Sequence, residues 1–243
     1  MSDRRRRNVA LDQDFHVHST FSDGASTLAE NVRAARERAL RTLCLVDHVR
    51  RDTAWLPDFT VAVAQFRDQP GLRVLAGVEA KILDTSGELD LPPVLNGIDL
   101  VLIADHQFPG DDGPLHPAQA REAISSGEMN PAEAIERLCE ASVNAISATD
   151  LGCVLAHLFS VLPKIGLDET MVPEPLLAHL ARRVAHSGAM VEINEKWACP
   201  SARTVTAMAH AGVQLVAGSD SHHCRDVGVY RYVRLTSGAG ARA

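Results

Sequence analysis

No CxxC pair, no GxGxxG or GxxxxGK[ST] loop, and no apolar run near the ~20 residues of a membrane span occurs in this chain. Each absence sets a class aside. The five cysteines (Cys44, Cys139, Cys153, Cys199, Cys224) are odd in number. They fit reduced thiols in a cytoplasm rather than a disulfide framework or a zinc finger. The missing glycine loops weaken the nucleotide-binding forms of an open α/β sheet. Aromatic residues are scarce, at 4%, yet 46% hydrophobic and 23% charged residues are ordinary for a soluble globular protein. The net charge of −7 argues against a general affinity for nucleic acid or anionic membranes, while leaving room for a locally positive cleft. The opening MSDRRRRNVALDQ carries a basic run, Arg4 to Arg7, with no apolar core of signal-peptide length behind it. Residues 1–12 therefore read as a flexible basic tail, 13–236 as one domain and 237–243 as a second flexible tail.

What is present is an alternation. TLCLVDH, LRVLAGVEAKIL, IDLVLIADH, CVLAHLF, AMVEIN and VQLVAGSDSH are nearly continuous apolar runs, as parallel strands covered on both faces should be. Between them lie helix candidates, the first with Thr27 and Glu30 at capping-box spacing and the last two ending in Gly. The stretches Thr85 to Gly97 and Pro109 to Asn130 are polar and rich in Pro and Gly, and read as loops with room for a helical turn. Roughly seven βα units imply an α/β fold with a closed or nearly closed parallel barrel, an open doubly wound sheet being the alternative.

Metal-type residues fall at the C-terminal ends of these strands. In DFHVHSTFSDG, His16 and His18 are two apart, so a strand points both to one spot, and Asp23 follows. His48, His106, His157 and His222 each end or follow a strand, Glu79 lies late in its run, and Asp220 sits in GSDSH. The C-terminal face of a β/α barrel is where active sites are built, so these groups would converge. A separate packing role for each is the alternative, and one polynuclear metal site accounts for all of them at once. Asp47 and Asp105 precede two of these histidines and read as supporting groups. His179, His186 and His210 fall on helices and His116 in a loop, away from the strand ends.

HVHSTFSDG, VDH, GVE, ADH, LAHLF and GSDSH resemble, in order, the motifs of the PHP (polymerase and histidinol phosphatase) family, from about Asp14 to His222. The resemblance implies a distorted (β/α)7 barrel with three divalent metals at its mouth. By that likeness His16 and His18 with Glu79 and Asp220 hold one ion. Asp23, His48 and His222 hold a second. Glu79 bridges to a third, which also takes His106 and His157. Asp23 stands where some members carry His. The mixed N/O donors suit Zn, Mn or Fe without choosing among them.

A hydroxide bridging two ions would attack phosphorus, with Glu79 and Asp220 as the catalytic carboxylates. Lys196, just past a strand end in EINEKW, and Arg225 and His223, beside the GSDSH motif, are candidate substrate contacts. Lys81 and Lys164 also lie near strand ends, and Trp55 and Trp197 are candidates to line a pocket. The expectation is a cytoplasmic phosphoesterase acting on a small phosphomonoester, with no membrane partner and no nucleic acid beyond short oligonucleotides. A 3′–5′ exonuclease or nucleotide phosphodiesterase and a C–N hydrolase are the alternatives within enzymes. A catalytically idle metal-stabilised module is the alternative outside them.

Overall fold

The computed structural model describes residues 9–237. Seven parallel strands, β1 (Gln13–Val17), β2 (Thr42–His48), β3 (Arg73–Lys81), β4 (Leu100–Ala104), β7 (Gly152–Ala156), β8 (Met190–Asn194) and β9 (Leu215–Gly218), follow one another in that order around one sheet. A two-residue hairpin, β5 (Phe108–Pro109) with β6 (Pro114–Leu115), projects after β4. The seam between β1 and β9 is drawn together at its upper end. His18 N–H donates to the Ser221 carbonyl at 2.9 Å, and Ser221 N–H donates to the His16 carbonyl at 3.3 Å. The buried Asp14 carboxylate adds bonds from Ser219 N–H at 2.9 Å and Gly228 N–H at 2.8 Å. The result is a nearly closed, distorted (β/α)7 barrel.

Helices α1 (Leu28–Glu37), α2 (Leu56–Ala64), α4 (Pro131–Ile146), α5 (Glu174–Ser187) and α6 (Ala202–Ala211) cover the outside, with the short α7 (Tyr232–Thr236) near β8. Local chemistry sets their ends. Thr27 and Glu30 form the expected capping box, and α5 and α6 stop at Gly188 and Gly212 in the left-handed conformation. The stretch read as a loop from Pro109 to Asn130 holds a further ten-residue helix, α3 (Pro117–Ser126). Its cap is the unusual one: His116 Nδ1 accepts from Ala118 N–H at 3.2 Å, while Gln119 reaches back to His116 N–H. Only Ala120 of this helix is fully buried, so no apolar period announces it.

Of the expected tails, most of each lies outside the described residues. Within the described part, Val9 packs beside Ile193, Val205 and Tyr230, and Ser237 is buried.

Inside the barrel, Phe15, Cys44, Val46, Leu75, Leu102, Val154 and Val216 form an apolar floor. Polar groups take over one layer up. Strand β1 carries one extra residue between Asp14 and Val17 relative to β2. Such a bulge resets the alternation, so Phe15 can join the floor while His16 still turns inward above it.

Candidate metal centre

The upper layer is built from strand ends. Glu79, on β3, is buried at its centre, with five imidazoles from four other strand ends around it. Its Oε1 lies 2.8 Å from His157 Nε2 and 3.1 Å from His106 Nε2. Its Oε2 lies 2.8 Å from His48 Nδ1, 3.4 Å from His16 Nε2 and 3.5 Å from His18 Nε2. None of these three contacts is aligned as a hydrogen bond to Oε2. His18 also approaches Asp220 at 3.6 Å, and the Nε2 atoms of His16 and His18 are 3.0 Å apart. Asp23, half-exposed at the rim, stands 3.5 Å from His48 Nε2 and 3.3 Å from His222 Nε2.

Two buried carboxylates orient this ring of imidazoles from behind. Glu192, on β8, faces His16 Nδ1 at 2.9 Å with Oε1 and accepts the His157 backbone N–H at 2.7 Å with Oε2. Asp105 faces His157 Nδ1 at 3.1 Å and also accepts from the Ser160 hydroxyl. A carboxylate on Nδ1 fixes that nitrogen as the N–H, which leaves Nε2 of His16 and of His157 with its lone pair aimed at Glu79. A lone pair facing a carboxylate is repulsive unless positive charge, a proton on the ring or a metal ion, lies between them. Asp47 serves the loop instead, accepting from the backbone and hydroxyls of Ser19 and Ser22.

The electrostatics express the same demand for positive charge. Burial works against a charged His157, yet its bonds to Asp105 and Glu79 hold its pKa up at about 10. Burial likewise opposes charge on His16, and Glu192, Glu79 and Asp220 overcome it and raise its pKa well above the usual value. Burial and the neighbouring His16 push His18 well below its own. Glu79 stays ionised despite burial, held far down by His16 and His106.

Three overlapping sets of donors converge closely enough for an ion: His18, Asp23, His48 and His222; His16, His18 and Asp220; and His48, Glu79 and His106. The all-nitrogen-and-oxygen composition, with buried His18 Nδ1 and Glu79 Oε2 taking no hydrogen bond, fits divalent cations. His157 joins through Glu79 rather than through one of these sets.

Of the expected substrate contacts, Lys196 reaches the cluster, with Nζ 3.0 Å from Asp220 Oδ1 and 3.1 Å from His222 Nδ1. Arg225 and His223 turn elsewhere. Arg225 pairs with Asp226 and its carbonyl is held by Arg38, while His223 Nδ1 caps the short turn at Cys224–Asp226. Lys81 pairs with Asp90. A pocket of about 390 Å³ opens beside the cluster, lined by Lys196, Asp220, His222, Ser221 and Val229 among others.

Glu192 is the group that sequence reasoning passed over. Its signal was the same as that of Glu79, a lone carboxylate inside an apolar strand. Space for it is cut into β9: a Cβ at Gly218 would lie 1.8 Å from Glu192 Oε1.

A parallel β/α barrel with a buried imidazole–carboxylate cluster at the C-terminal ends of its strands defines a metal-binding barrel protein. The PHP domain profile matches residues 14–220, and the chain belongs to the PHP domain family. A probable phosphatase of Vibrio parahaemolyticus is 31% identical over 124 residues, covering 48% of this chain and 49% of that protein. One from Thermoanaerobacter sp. is 35% identical over 106 residues, 41% of this chain and 43% of the relative. A probable phosphatase of Vibrio vulnificus aligns over 237 residues at 28% identity, 90% of this chain and 81% of that protein. The chain thus spans about half the length of the first two relatives. Among the described residues, no helix is long and apolar enough to cross a membrane.

Proposed function

We propose that the chain is a metal-dependent phosphoesterase that hydrolyses a small phosphomonoester at a centre of three divalent ions, Zn, Mn or Fe. The observation that carries this reading is Glu79 within 3.5 Å of five imidazole nitrogens, two of them on rings whose other nitrogen faces a buried carboxylate. His16, His18 and Asp220 would hold one ion with Glu79. Asp23, His48 and His222 would hold a second. Glu79, His106 and His157 would hold the third. Such ions lower the pKa of coordinated water and polarise phosphoryl oxygens.

The chain's own groups do the remaining work. Glu192 and Asp105 fix the tautomers of His16 and His157, and Glu79 sets the spacing of the donors around it. Lys196, 43% exposed and beside the pocket, donates a charge-assisted bond to a terminal phosphate oxygen. The pocket volume suits a small ester, and the five free thiols suit a reducing cytoplasm. The names of the relatives, as phosphatases, point the same way.

The test is turnover by the metal-reconstituted chain against phosphomonoesters, phosphodiesters, single-stranded oligonucleotides and amides, with elemental analysis alongside. Monoesters should have the highest kcat/KM, with about three ions per chain. Stepwise degradation of oligonucleotides with monoesters untouched would replace this reading by an exonuclease, and cleavage of C–N bonds alone would end the phosphate assignment.

A further inference from the structure

The chain contains two tryptophans, and their surroundings differ. Trp55 is half-buried against Phe21 and Phe59, with ring centroids 5.7 Å from each. Trp197 is 42% exposed, while the other aromatic side chains are buried or half-buried. It lies in the turn after β8, and its indole centroid is 6.3 Å from that of His157, one ring away from Glu79.

The turn holds Trp197 firmly. Its backbone N–H donates to Asn194 Oδ1 at 2.8 Å, and Asn194 N–H donates to the Cys199 carbonyl across the turn. The neighbouring Glu195 carboxylate accepts three backbone N–H groups, from Arg231, Tyr232 and Val233. Two ammonium groups flank the ring: Lys164 Nζ, 4.0 Å from its centroid, and Lys196 Nζ, 5.8 Å away. Lys164 comes from the 3-10 turn after β7, so adjacent strand ends supply the platform. An exposed indole on a hydrogen-bonded turn, near two cations and one ring away from Glu79, has little packing to perform.

We propose that Trp197 is the residue that selects the leaving group, stacking a flat conjugated ring so that phosphomonoesters of ring-bearing alcohols are preferred over aliphatic ones. This inference rests on the phosphomonoesterase reading above. Stacking on an aromatic face is sequence-blind and shape-selective, since any conjugated ring offers a π-face. Lys164 lies over the indole at 4.0 Å, and the 42% of Trp197 that stays exposed is the surface a ring would meet. Lys196, on the metal side, faces the phosphate.

The test has a binding arm and a turnover arm, both on the metal-loaded protein. Phenylphosphonate and propylphosphonate, whose C–P bonds resist hydrolysis, are titrated by calorimetry into wild type, Trp197→Ala and Trp197→Phe. Phenylphosphonate should bind wild type about 10-fold more tightly, Trp197→Ala should erase the preference, and Trp197→Phe should keep most of it. In turnover, Trp197→Ala should raise KM for phenyl phosphate and adenosine 5′-monophosphate about 10-fold with kcat little changed, and leave glycerol 2-phosphate within about twofold. The two ring-bearing substrates separate a heteroaromatic base from a simple aryl group as the occupant. Equal affinity for the two phosphonates, or equal losses on all substrates, overturns the proposal. If wild type binds phenylphosphonate preferentially but hydrolyses no monoester, the phosphomonoesterase reading falls while the stacking role stands. If neither phosphonate binds, both fall.

Discussion

The two halves of the barrel mouth each bury a glutamate, and the two are used in opposite ways. On the β1–β4 side Glu79 is ringed by imidazole nitrogens, and its Oε2 takes no hydrogen bond. On the β7–β9 side Glu192 has both oxygens occupied, one by His16 Nδ1 and the other by the His157 backbone N–H. A buried carboxylate with its partners complete is a fixed part of the scaffold, whereas one ringed by imidazoles draws positive charge to itself, as ring protons or as ions. The comparison separates a group that would touch the ions from a group that aims the groups that touch them.

The largest effect that would sharpen this contrast comes from Glu79→Gln. An amide bridges two ions poorly and removes the charge that offsets them. Turnover should fall by roughly 10²-fold or more, on the scale of losing a major electrostatic catalytic element, with the fold retained by circular dichroism. Near-wild-type activity in a folded variant would reduce Glu79 to a structural residue and dissolve the distinction.

Glu192→Gln should act through affinity instead. The amide N–H₂ can turn toward His16 and make Nδ1 the acceptor, which puts the proton on Nε2 where the ion belongs. Metal affinity should drop by about 10–100-fold, the usual cost of losing a carboxylate behind a histidine ligand, and excess metal should restore kcat. Restoration by metal is the feature Glu79→Gln must lack. Gly218→Ala probes the same half by steric means, since its methyl carbon would lie 1.8 Å from Glu192 Oε1. The overpacking should cost about 1–3 kcal/mol, read as a fall in Tm.

These two halves were not equally legible in the sequence. Histidines at strand ends were readable because the β/α alternation fixes which end of each strand faces the site, and the barrel has seven parallel strands in chain order. Glu79 was readable because it lies late in its apolar run, in a GVE that resembles a family motif. Glu192, likewise two residues before its strand end, lies in no such motif, and its partners come from β1 and from His157 just past β7, far away in sequence. Strand periodicity also stops at the last strand residue. It could not tell that the turn after His222 directs His223 into a cap and pairs Arg225 with Asp226. The full length of helix α3 escaped notice for a related reason: a histidine cap and an apolar face of small residues, with Ala120 alone fully buried, give a weak period.

Metal removal distinguishes the halves by stability. Ions that bind only the folded chain stabilise it by about 4 kcal/mol when present at a thousandfold over Kd. For a chain of this size each kcal/mol moves Tm by about 2–4 °C, so chelation should lower it by on the order of 10 °C. The shift should shrink in Glu79→Gln. In Glu192→Gln it should shrink at limiting metal and return at high metal. An equal shift in all three proteins would mean that neither glutamate bears on the ions.

The smallest effect belongs to Lys196, which crosses from the β8 turn to the donors of β9. Its ammonium lies 3.0 Å from Asp220 Oδ1 and is 43% exposed, so its pairing in the free protein is screened and its loss should move Tm little. Its value should appear when a phosphate enters and offers terminal oxygens to the same N–H groups. If that bond forms equally in the ground and transition states, Lys196→Ala raises KM for phosphorylated substrates by about five- to tenfold and leaves kcat nearly unchanged. Lys196→Arg should recover part of the loss, because the charge remains while the geometry of its donors changes. The chelation shift in Lys196→Ala should match wild type, since an ammonium cannot ligate a cation. A fall in kcat with KM unchanged would instead place Lys196 on the leaving group or the transferring phosphoryl, in company with Glu79 rather than with the supporting side of the mouth.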